Sequence, residues 1–483
     1  SLNVQYNYAL KAIDFTSLYE VKGSVEFYDN DDLMAISFPA LTEVDSSFYI
    51  YGNDAIASLS APLLASLGSS LTIQENEELA DVDLSALTCV SDFTIEGNNL
   101  TEESHYALLV TLTCSSDDSL IVFRHIDAET FCAGGDTTVE NLYINAIGTE
   151  PVDLSCITEI TGSLEIENSI TTSIDLSGVT SVGDEVYIHN NDSLEHVDLS
   201  GMTSAGDRVQ INSNSELISV NMAALSTVDE HFGISSNNNL ETLTLTNFSN
   251  SGEGFEINSN SSFENLELPS LVEVSSSFNI NYNSSLETIR LPAAVDLYSV
   301  SIENNGSLED ISMPMLEETE GSFYVRENNS LSLIDASSLR TIGGQLYIYE
   351  NHDLEDAYFG ALTEVSSSLN VQYNYALKAI DFTSLNEVKG SVEFYDNDDL
   401  MAISFPALTE VDSSFYIYGN DSIASLSAPL LASLGSSLTI QENEELTDVD
   451  LSALTCVSDF TIEGNNLSDT GHYDLLVHLS SGC

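Results

Sequence analysis

Basic residues are the scarcest chemical class in this chain of 483 residues. It carries 9 Lys+Arg against 78 Asp+Glu, for a formal net charge of −69. Recognition of nucleic acid needs clustered cations, and so does a basic anchor on anionic lipid. The charge balance excludes both classes of function. The 21 Tyr and 19 Phe make the chain too apolar for an acidic disordered tail, so we expect a packed core.

Long apolar runs are also absent from the sequence. No stretch of about 18 or more apolar residues occurs, so we predict no direct membrane span. The chain starts at Ser1 without an initiator Met, a signal peptide or a hydrophobic C-terminal tail. We expect a mature or excised segment whose native chain continues upstream as an array of similar modules.

Sequence motifs of catalysis are missing as well. The chain has no G-x-S-x-G elbow, H-E-x-x-H, P-loop or dinucleotide fingerprint. The eight histidines are scattered, and the closest pairs, His189 with His196 and His472 with His478, have no nucleophile beside them. We interpret them as surface residues and predict that the protein is not an enzyme.

One asparagine position marks a short repeat along the chain. The spacing is 23 residues, or occasionally 22, within two runs. The members are Asn7, Asn30, Asn53, Asn76, Asn98, Asn168, Asn191, Asn214, Asn237, Asn260, Asn283, Asn305, Asn328, Asn351, Asn374, Asn397, Asn420, Asn443 and Asn465. Apolar residues alternate two apart before these positions, as in Phe48-Tyr49-Ile50, which is typical of strands. The repeat predicts a solenoid with two or three short strands per turn, stacked in parallel ladders.

Proline indicates one corner of each predicted turn. Every proline except Pro151 lies nine residues after a ladder asparagine, and proline cannot donate to a β-ladder. The members are Pro39, Pro62, Pro269, Pro292, Pro314, Pro406 and Pro429. We expect the asparagines at another corner, with their amides bonded to main chain of neighbouring turns. The alternative is a row of exposed turn residues.

A longer repeat contains the short one. Residues 1–100 return as 368–467, displaced by 367 positions. The pairs that differ are Tyr19/Asn386, Ala55/Ser422 and Ala80/Thr447. Near identity over this length indicates duplicated modules. We predict that 1–114 is the C-terminal part of one β-solenoid module, 115–136 an inter-module junction and 137–483 a complete second module.

Six cysteines have spacings close to one turn. Their natural pairs are Cys89–Cys114, Cys132–Cys156 and Cys456–Cys483, with separations of 25, 24 and 27 residues. Partners on adjacent strands would lie about 4.8 Å apart, within the reach of a disulfide. We expect staples at the ends of each stack, with Cys114–Cys132 open as an alternative pair. An even count favours an oxidising, extracellular or cell-surface setting.

A turn pattern, L-x-x-I-x-L-P-x-L-x-x-V-x-x-S-F-x-I-x-x-N-x-x-L, is well seen over 263–286. It resembles the receptor L domain of insulin- and EGF-type receptors, and also the fungal GPI-anchored cell-wall-organisation proteins that use this repeat. The resemblance covers nearly all of the chain except about 115–140. It implies an all-β, right-handed parallel β-helix of the leucine-rich-repeat type. Because that family spans receptors, wall proteins and adhesins, it implies no single function.

Acidic turns are the candidate cation sites of the sequence. The aspartates cluster beside Asn30 and again beside Asn397, and they are Asp29, Asp31, Asp32, Asp396, Asp398 and Asp399. Several hard oxygen ligands at one corner suit Ca²⁺. Neither the EF-hand spacing nor the G-G-x-G-x-D repeat is present, and a solvated acidic turn is the alternative. We predict that no cofactor is required and that calcium is the candidate ion.

Tyrosines recur two and four residues before the ladder asparagine. They are Tyr28, Tyr49, Tyr51, Tyr324, Tyr347, Tyr349, Tyr395, Tyr416 and Tyr418. An exposed row of Tyr suits sugar stacking or a protein interface, since Tyr offers a large surface with a polar tip. Cross-strand packing is the alternative explanation.

Candidate glycosylation sites fall into two groups. Asn99, Asn247 and Asn466 lie off the ladder, whereas the other sequons coincide with ladder asparagines. The coinciding sequons are at Asn191, Asn260, Asn283, Asn305, Asn328 and Asn420. If the ladder corner is buried, only the first group is open to modification.

These features together predict a non-enzymatic extracellular structural repeat protein. It would be the building block of a fibre, filament, stalk or wall layer, with each module about 65–70 Å long. Its partners would be copies of itself or neighbouring modules. The alternative is an adhesive or ligand-binding ectodomain of the cell surface that holds a glycan or a protein on the tyrosines.

Overall fold

A computed structural model describes residues 1–87, 90, 93–100, 121–123, 138–145, 151–454, 457, 459–468, 475, 477 and 479. The chain divides into two compact units, Ser1–Ala133 with Val139–Ile147 and Gly134–Thr138 with Gly148–Cys483. Most of the predicted junction at 115–136 lies outside the described residues, and the module boundaries stay a prediction.

Three kinds of short strand build each turn. The strand that precedes the ladder asparagine is here called the A strand, the strand that follows it the B strand, and the strand after the proline corner the C strand. Each pairs in parallel with its own kind in the next turn, as in Phe232↔Phe255 and Val220↔Leu243. The predicted all-β parallel β-solenoid is therefore confirmed.

The strand bounds repeat with the turn. The A strands are Leu2–Gln5, Val25–Tyr28, Phe48–Tyr51, Leu71–Gln74, Phe93–Glu96, Leu142–Asn145, Leu164–Glu167, Val186–His189, Val209–Asn212, Phe232–Ser235, Phe255–Asn258, Phe323–Arg326, Leu346–Tyr349, Leu369–Gln372, Val392–Tyr395, Phe415–Tyr418, Leu438–Gln441 and Phe460–Glu463. The B strands are Ala35–Ser37, Ser58–Ser60, Asp81–Asp83, Val152–Asp153, Ser173–Asp175, His196–Asp198, Ser219–Asn221, Thr242–Thr244, Asn265–Glu267, Thr288–Arg290, Asp310–Ser312, Leu333–Asp335, Asp356–Tyr358, Ala379–Asp381, Ala402–Ser404, Ser425–Ser427 and Asp448–Asp450. The C strands are Glu20–Val21, Glu43–Val44, Ser66–Leu67, Thr138–Val139, Glu159–Ile160, Ser181–Val182, Ser204–Ala205, Thr227–Val228, Asn250–Ser251, Glu318–Thr319, Thr341–Ile342, Glu364–Val365, Glu387–Val388, Glu410–Val411 and Ser433–Leu434. C and A strands run together in Glu273–Asn281 and Asp296–Glu303, and Ile121–Phe123 pairs with Leu142–Asn145.

Alternation along the A strands separates the core from the surface. In Phe255–Asn258 the first and third side chains are buried, and the second and fourth are half-buried on the outside. The register of 23 residues places like on like, so Phe255 stacks between Phe232 and Phe278 with ring centroids 5.0 and 5.3 Å apart. Each turn thus buries its apolar side chains against the turns on both sides, as a solenoid requires.

The ladder asparagines are buried, and each one connects three turns. Asn283, with no exposed surface, accepts the backbone N–H of Asn260 at 3.0 Å on its Oδ1. Its Nδ2 donates to the carbonyl of Ile257 in the preceding turn at 2.9 Å and to Oδ1 of Asn305 in the following turn at 3.2 Å. The predicted bonding to neighbouring main chain is confirmed, and the alternative of exposed turn residues is wrong.

The residue before each ladder position has a left-handed backbone. Its φ lies between +49° and +70° in every turn with a described ladder residue, and it is glycine in only a few of them, such as Gly52 and Gly419. Elsewhere it is a residue such as Glu327 or Tyr373, for which this conformation costs about 1–2 kcal/mol. The buried amide bonds of the next residue hold the chain in this corner and offset that cost.

The first ladder position of the second unit differs from the prediction. Ser169 is 1% exposed and donates its backbone N–H to Oδ1 of Asn191 at 2.9 Å. Asn168 is exposed and occupies the preceding left-handed position, with φ of 51°. The step from Ser169 to Asn191 is 22 residues, so the regular spacing of 23 pointed to the wrong neighbour.

The proline corner lies where the spacing placed it. Pro39, Pro269 and Pro406 each lie in the turn that joins a B strand to the next C strand. Their missing N–H is therefore not needed by a ladder. Asn30 and Pro39 thus mark two different corners of one turn, and the structure confirms both.

Candidate functional site

The most distinctive surface of the second unit is an aromatic strip on the outside of its A strands. We call this surface the tyrosine strip, and it consists of Tyr324, Tyr347, Tyr349, Tyr373, Tyr375, Tyr395, Tyr416 and Tyr418. The second and fourth residues of an A strand point outward, which places Tyr347 with Tyr349 and Tyr416 with Tyr418 on one face. These side chains are half-buried by their neighbours.

Ring contacts make the strip continuous over five turns. Neighbouring rings have centroids between 5.0 and 6.5 Å apart. The successive contacts are Tyr324–Tyr347 at 6.1 Å, Tyr347–Tyr349 at 5.2 Å, Tyr349–Tyr373 at 5.5 Å, Tyr373–Tyr395 at 5.0 Å, Tyr395–Tyr418 at 5.1 Å and Tyr416–Tyr418 at 6.0 Å. Aromatic pairs at such distances contribute about 0.5–1.5 kcal/mol beyond their buried area. Cross-strand packing therefore accounts for part of the conservation of ring geometry between turns.

Tyr373 completes the strip, and the sequence reasoning missed it. It is not an outward strand residue but the left-handed residue before Asn374, with φ of 57°. From there its ring reaches both Tyr349 and Tyr395, which Gln372 on the A strand between them would otherwise separate. A tyrosine directly before a ladder asparagine was the available signal.

The first unit carries a shorter version of this surface. Tyr28 contacts Tyr49 at 6.5 Å and Tyr51 at 5.1 Å, and Tyr6 joins them at 5.3 Å from Tyr28. The matching distances in the second unit are 6.4 Å for Tyr395–Tyr416 and 5.1 Å for Tyr395–Tyr418. The duplicated sequence therefore reproduces the aromatic geometry as well as the strands.

Acidic groups border the tyrosine strip and determine its charge. A hydrogen bond to the Glu350 carboxylate, with burial and charge repulsion adding to it, raises the pKa of Tyr349 far above its usual range. Burial, followed by repulsion from Asp398 and Asp421, raises the pKa of the Asp396 carboxyl. The phenols therefore remain protonated donors at neutral pH, beside an excess of negative charge.

A single ion pair interrupts this acidic border at one end of the strip. The Arg326 guanidinium lies beside Tyr347, and its Nη2 is 2.6 Å from Glu303, whose side chain is 12% exposed. That contact satisfies Arg326 and leaves little positive charge for a ligand. The strip is thus suited to a partner with hydroxyl groups, or with positive charge, over a flat apolar surface.

The aspartates predicted to bind calcium have different surroundings in the two copies. Asp29 and Asp396 are the left-handed residues before Asn30 and Asn397, and both are half-buried. The other members are Asp31, Asp32 and Asp399, which are exposed, and Asp398, which is half-buried. Among the residues that the structure describes, the groups with ligand atoms within 4.8 Å of one another are Glu20 with Glu43 and Asp45, and Glu165 with Glu167 and His189. Calcium binding by the predicted aspartates stays a prediction.

Histidine placement departs from the interpretation of a uniform surface population. His196 is exposed and lies 2.8 Å from Oγ of Ser219. His189 is only 9% exposed, its ring stacks on Tyr187 at 3.9 Å, and its Nε2 faces two carboxylates. The interpretation as a surface residue is therefore wrong for His189. Its partners lie one turn away, which the linear sequence does not show.

Cysteine pairing stays a prediction. Cys156 is half-buried beside the first strands of the second unit. The other cysteines, Cys89, Cys114, Cys132, Cys456 and Cys483, lie outside the described residues. The disulfide-stapled ends therefore remain an expectation of the sequence.

We predict that N-glycans, where the protein passes through a eukaryotic secretory pathway, attach at Asn99, Asn247 and Asn466 only. All three are exposed, whereas the ladder sequons have no exposed surface and have their amide nitrogens bonded. Peptide mapping of secreted protein after release of the glycans would locate the modified asparagines. Modification of a folded ladder residue such as Asn328 would contradict the prediction.

Comparison with known proteins gives the fold alone. No family model matches the chain, and no curated protein matches it. Among solved structures, a chain of the crystal structure of a TLR13–ssRNA13 complex matches with 11% identity and a TM-score of 0.17. The match covers 91% of this chain and 86% of that one. Within the described part of the chain, no helix has the length and apolarity to cross a membrane. What the chain shows is an all-β parallel solenoid built from tandem leucine-rich-repeat-like turns.

Proposed function

We propose that this protein is a non-enzymatic extracellular structural repeat protein, a building block of a fibre, filament, stalk or wall layer. The buried asparagine ladder carries this proposal. From Asn191 to Asn443 every described ladder residue uses its own amide to close bonds in the turns on both sides. Such a stack grows by adding equivalent turns, and its main-chain polar groups remain paired at every step.

The duplication supports the same function. The second unit contains near copies of the first hundred residues, with the same strand bounds and ring distances. Partners would then be copies of the chain or neighbouring modules. The resemblance of the turn pattern to receptor L domains and fungal wall proteins fits an extracellular, cell-surface location. Neither nucleic acid nor a catalytic cofactor has a place in this proposal.

Electron microscopy of the native protein from its source tests the proposal. We expect continuous fibres or layers with an axial repeat of one module, about 65–70 Å for stacked strands. Imaging with and without a calcium chelator separates assembly by divalent ions from assembly by the chain alone. Native material that consists only of separate short particles would contradict the structural function.

An adhesive ectodomain is the second candidate, and the continuity of the tyrosine strip favours it. Rings in contact over five turns offer a flat surface for a glycan or a protein. We expect Tyr349→Ala and Tyr418→Ala to weaken binding on a glycan array or in a pulldown. Tyr358→Ala is the matched control, because Tyr358 is 43% exposed on a B strand outside the strip. Equal loss in all three variants would exclude the strip as the binding surface.

A further inference from the structure

We propose that Glu165, Glu167 and His189 form a site for a divalent transition metal of the Zn²⁺ type. Two adjacent A strands build this site. Their register aligns Glu165 with Tyr187 and Glu167 with His189, and all four side chains point to the outside of the second unit. The two carboxylates of one turn therefore face the imidazole of the next.

The distances between the ligand atoms match a tetrahedral ion. His189 Nε2 lies 3.4 Å from Oε1 of Glu165 and 3.8 Å from Oε2 of Glu167. Ligands about 2.0–2.1 Å from Zn²⁺ at tetrahedral angles lie about 3.3–3.4 Å from each other. An ion can thus enter between these atoms with a small movement of Glu167. Three protein ligands would leave a fourth position for water.

The surroundings hold the imidazole in place for this purpose. His189 is 9% exposed, and its ring stacks on Tyr187 with centroids 3.9 Å apart. Its second nitrogen, Nδ1, lies 3.0 Å from the side-chain amide of Asn190, whose backbone has φ of 54°. An Asn amide can present either its oxygen or its nitrogen. With the oxygen toward the ring it accepts the Nδ1 proton, which leaves Nε2 free to bind the metal.

The donor set distinguishes this site from the rest of the acidic surface. Imidazole with two carboxylates favours Zn²⁺ and its neighbours, whereas Ca²⁺ and Mg²⁺ prefer ligands that are all oxygen. The other group with atoms within 4.8 Å, Glu20 with Glu43 and Asp45, is fully exposed, contains no imidazole and is partly neutralised by Lys22. It therefore serves as a natural contrast, at which we expect screening but no selective binding.

Titration of the full chain with Zn²⁺ in excess Ca²⁺ tests the site, because Ca²⁺ occupies acidic sites that lack an imidazole. We expect one saturable Zn²⁺ site by calorimetry and a ligand-field absorption band with Co²⁺. His189→Ala should weaken Zn²⁺ binding by about 10-fold or more, since even outer-sphere changes cost 10–100-fold. His196→Ala, at an exposed histidine, is the matched control and should leave the affinity unchanged.

Two results would overturn the proposal. Zn²⁺ affinity that is the same in the wild type and in His189→Ala would show diffuse binding to carboxylates. Zn²⁺ that competes no better than Ca²⁺ would show that the group is only an ion pair. If His189→Ala fails to fold, Glu165→Gln keeps the shape of a side chain that is 40% exposed, and loss of the Co²⁺ band in that variant gives the same decision.

Discussion

Asn283→Ala is expected to lower the free energy of unfolding by about 2–5 kcal/mol, because it leaves buried polar groups without partners. The substitution removes the acceptor of the Asn260 backbone N–H and the donor to the Ile257 carbonyl. Asn283 has no exposed surface, so water cannot replace the lost bonds. The effect should exceed that of a typical apolar truncation, since the lost amide served three turns.

A solenoid responds to such a defect locally, and the measurement should detect this. The stability of repeat proteins is approximately a sum of terms between neighbouring turns. Amide hydrogen exchange should therefore accelerate most around Asn260, Asn283 and Asn305, the turns that shared the lost bonds. Urea unfolding followed by circular dichroism would give the global loss.

Asn281→Ala is the matched control for the ladder variant. Asn281 lies two residues away, on the outside of the same strand, and its Oδ1 has no hydrogen-bond partner. Its truncation should change stability by no more than about 0.5 kcal/mol. Equal effects at both positions would mean that the ladder bonds contribute nothing beyond ordinary surface interactions.

The fold could be predicted from the sequence because the repeat supplies many independent observations of one turn. The spacing of Asn191, Asn214 and Asn237 defines the register, and a slip of one residue would turn every buried side chain outward. Proline and asparagine positions separate the corners. What the period could not reveal is a local change in turn length, which is why Ser169 was not recognised as a ladder residue.

The candidate sites were harder to predict, because their members are neighbours across turns. Tyr373 lies beside Tyr349 and Tyr395 only through the left-handed corner before Asn374. His189 meets Glu165 because successive turns differ by 22 residues at that point, not by 23. Contacts of this kind depend on the exact stacking of each turn, whereas a sequence pattern gives only the average turn.

Screening of the negative charge should stabilise the protein strongly. We expect the melting temperature at neutral pH to rise by about 5 °C or more between about 0.01 M and 0.1 M NaCl, because the Debye length falls from about 30 to 10 Å. The parallel register stacks like charges in rows, as in Glu364↔Glu387 and Glu387↔Glu410. Differential scanning fluorimetry with and without Mg²⁺ would measure the response.

The titration of buried carboxyls predicts the same direction on mild acidification. Burial, and then repulsion from Glu318, Glu273 and Glu320, raises the pKa of Asp296 in the folded state. A carboxyl whose folded pKa is raised contributes full stability below its unfolded pKa of 3.8, and loses that contribution as pH rises through the folded pKa. Lowering the pH from neutral toward about 5 should therefore raise the melting temperature in low salt and narrow the salt effect.

Two substitutions distinguish row repulsion from a general effect of salt. Glu410→Gln removes one charge from a stacked row, and we expect it to stabilise the protein by about 0.2–1 kcal/mol in low salt and by less in high salt. Glu355→Gln is the control of opposite sign, because Glu355 lies 2.9 Å from Lys378 and its neutralisation removes an attraction. If both variants shift stability in the same direction, local repulsion within the rows is not the cause. The stabilisation by salt would then reflect preferential exclusion of ions from the surface, and the acidic rows would not need counterions for the stack to form.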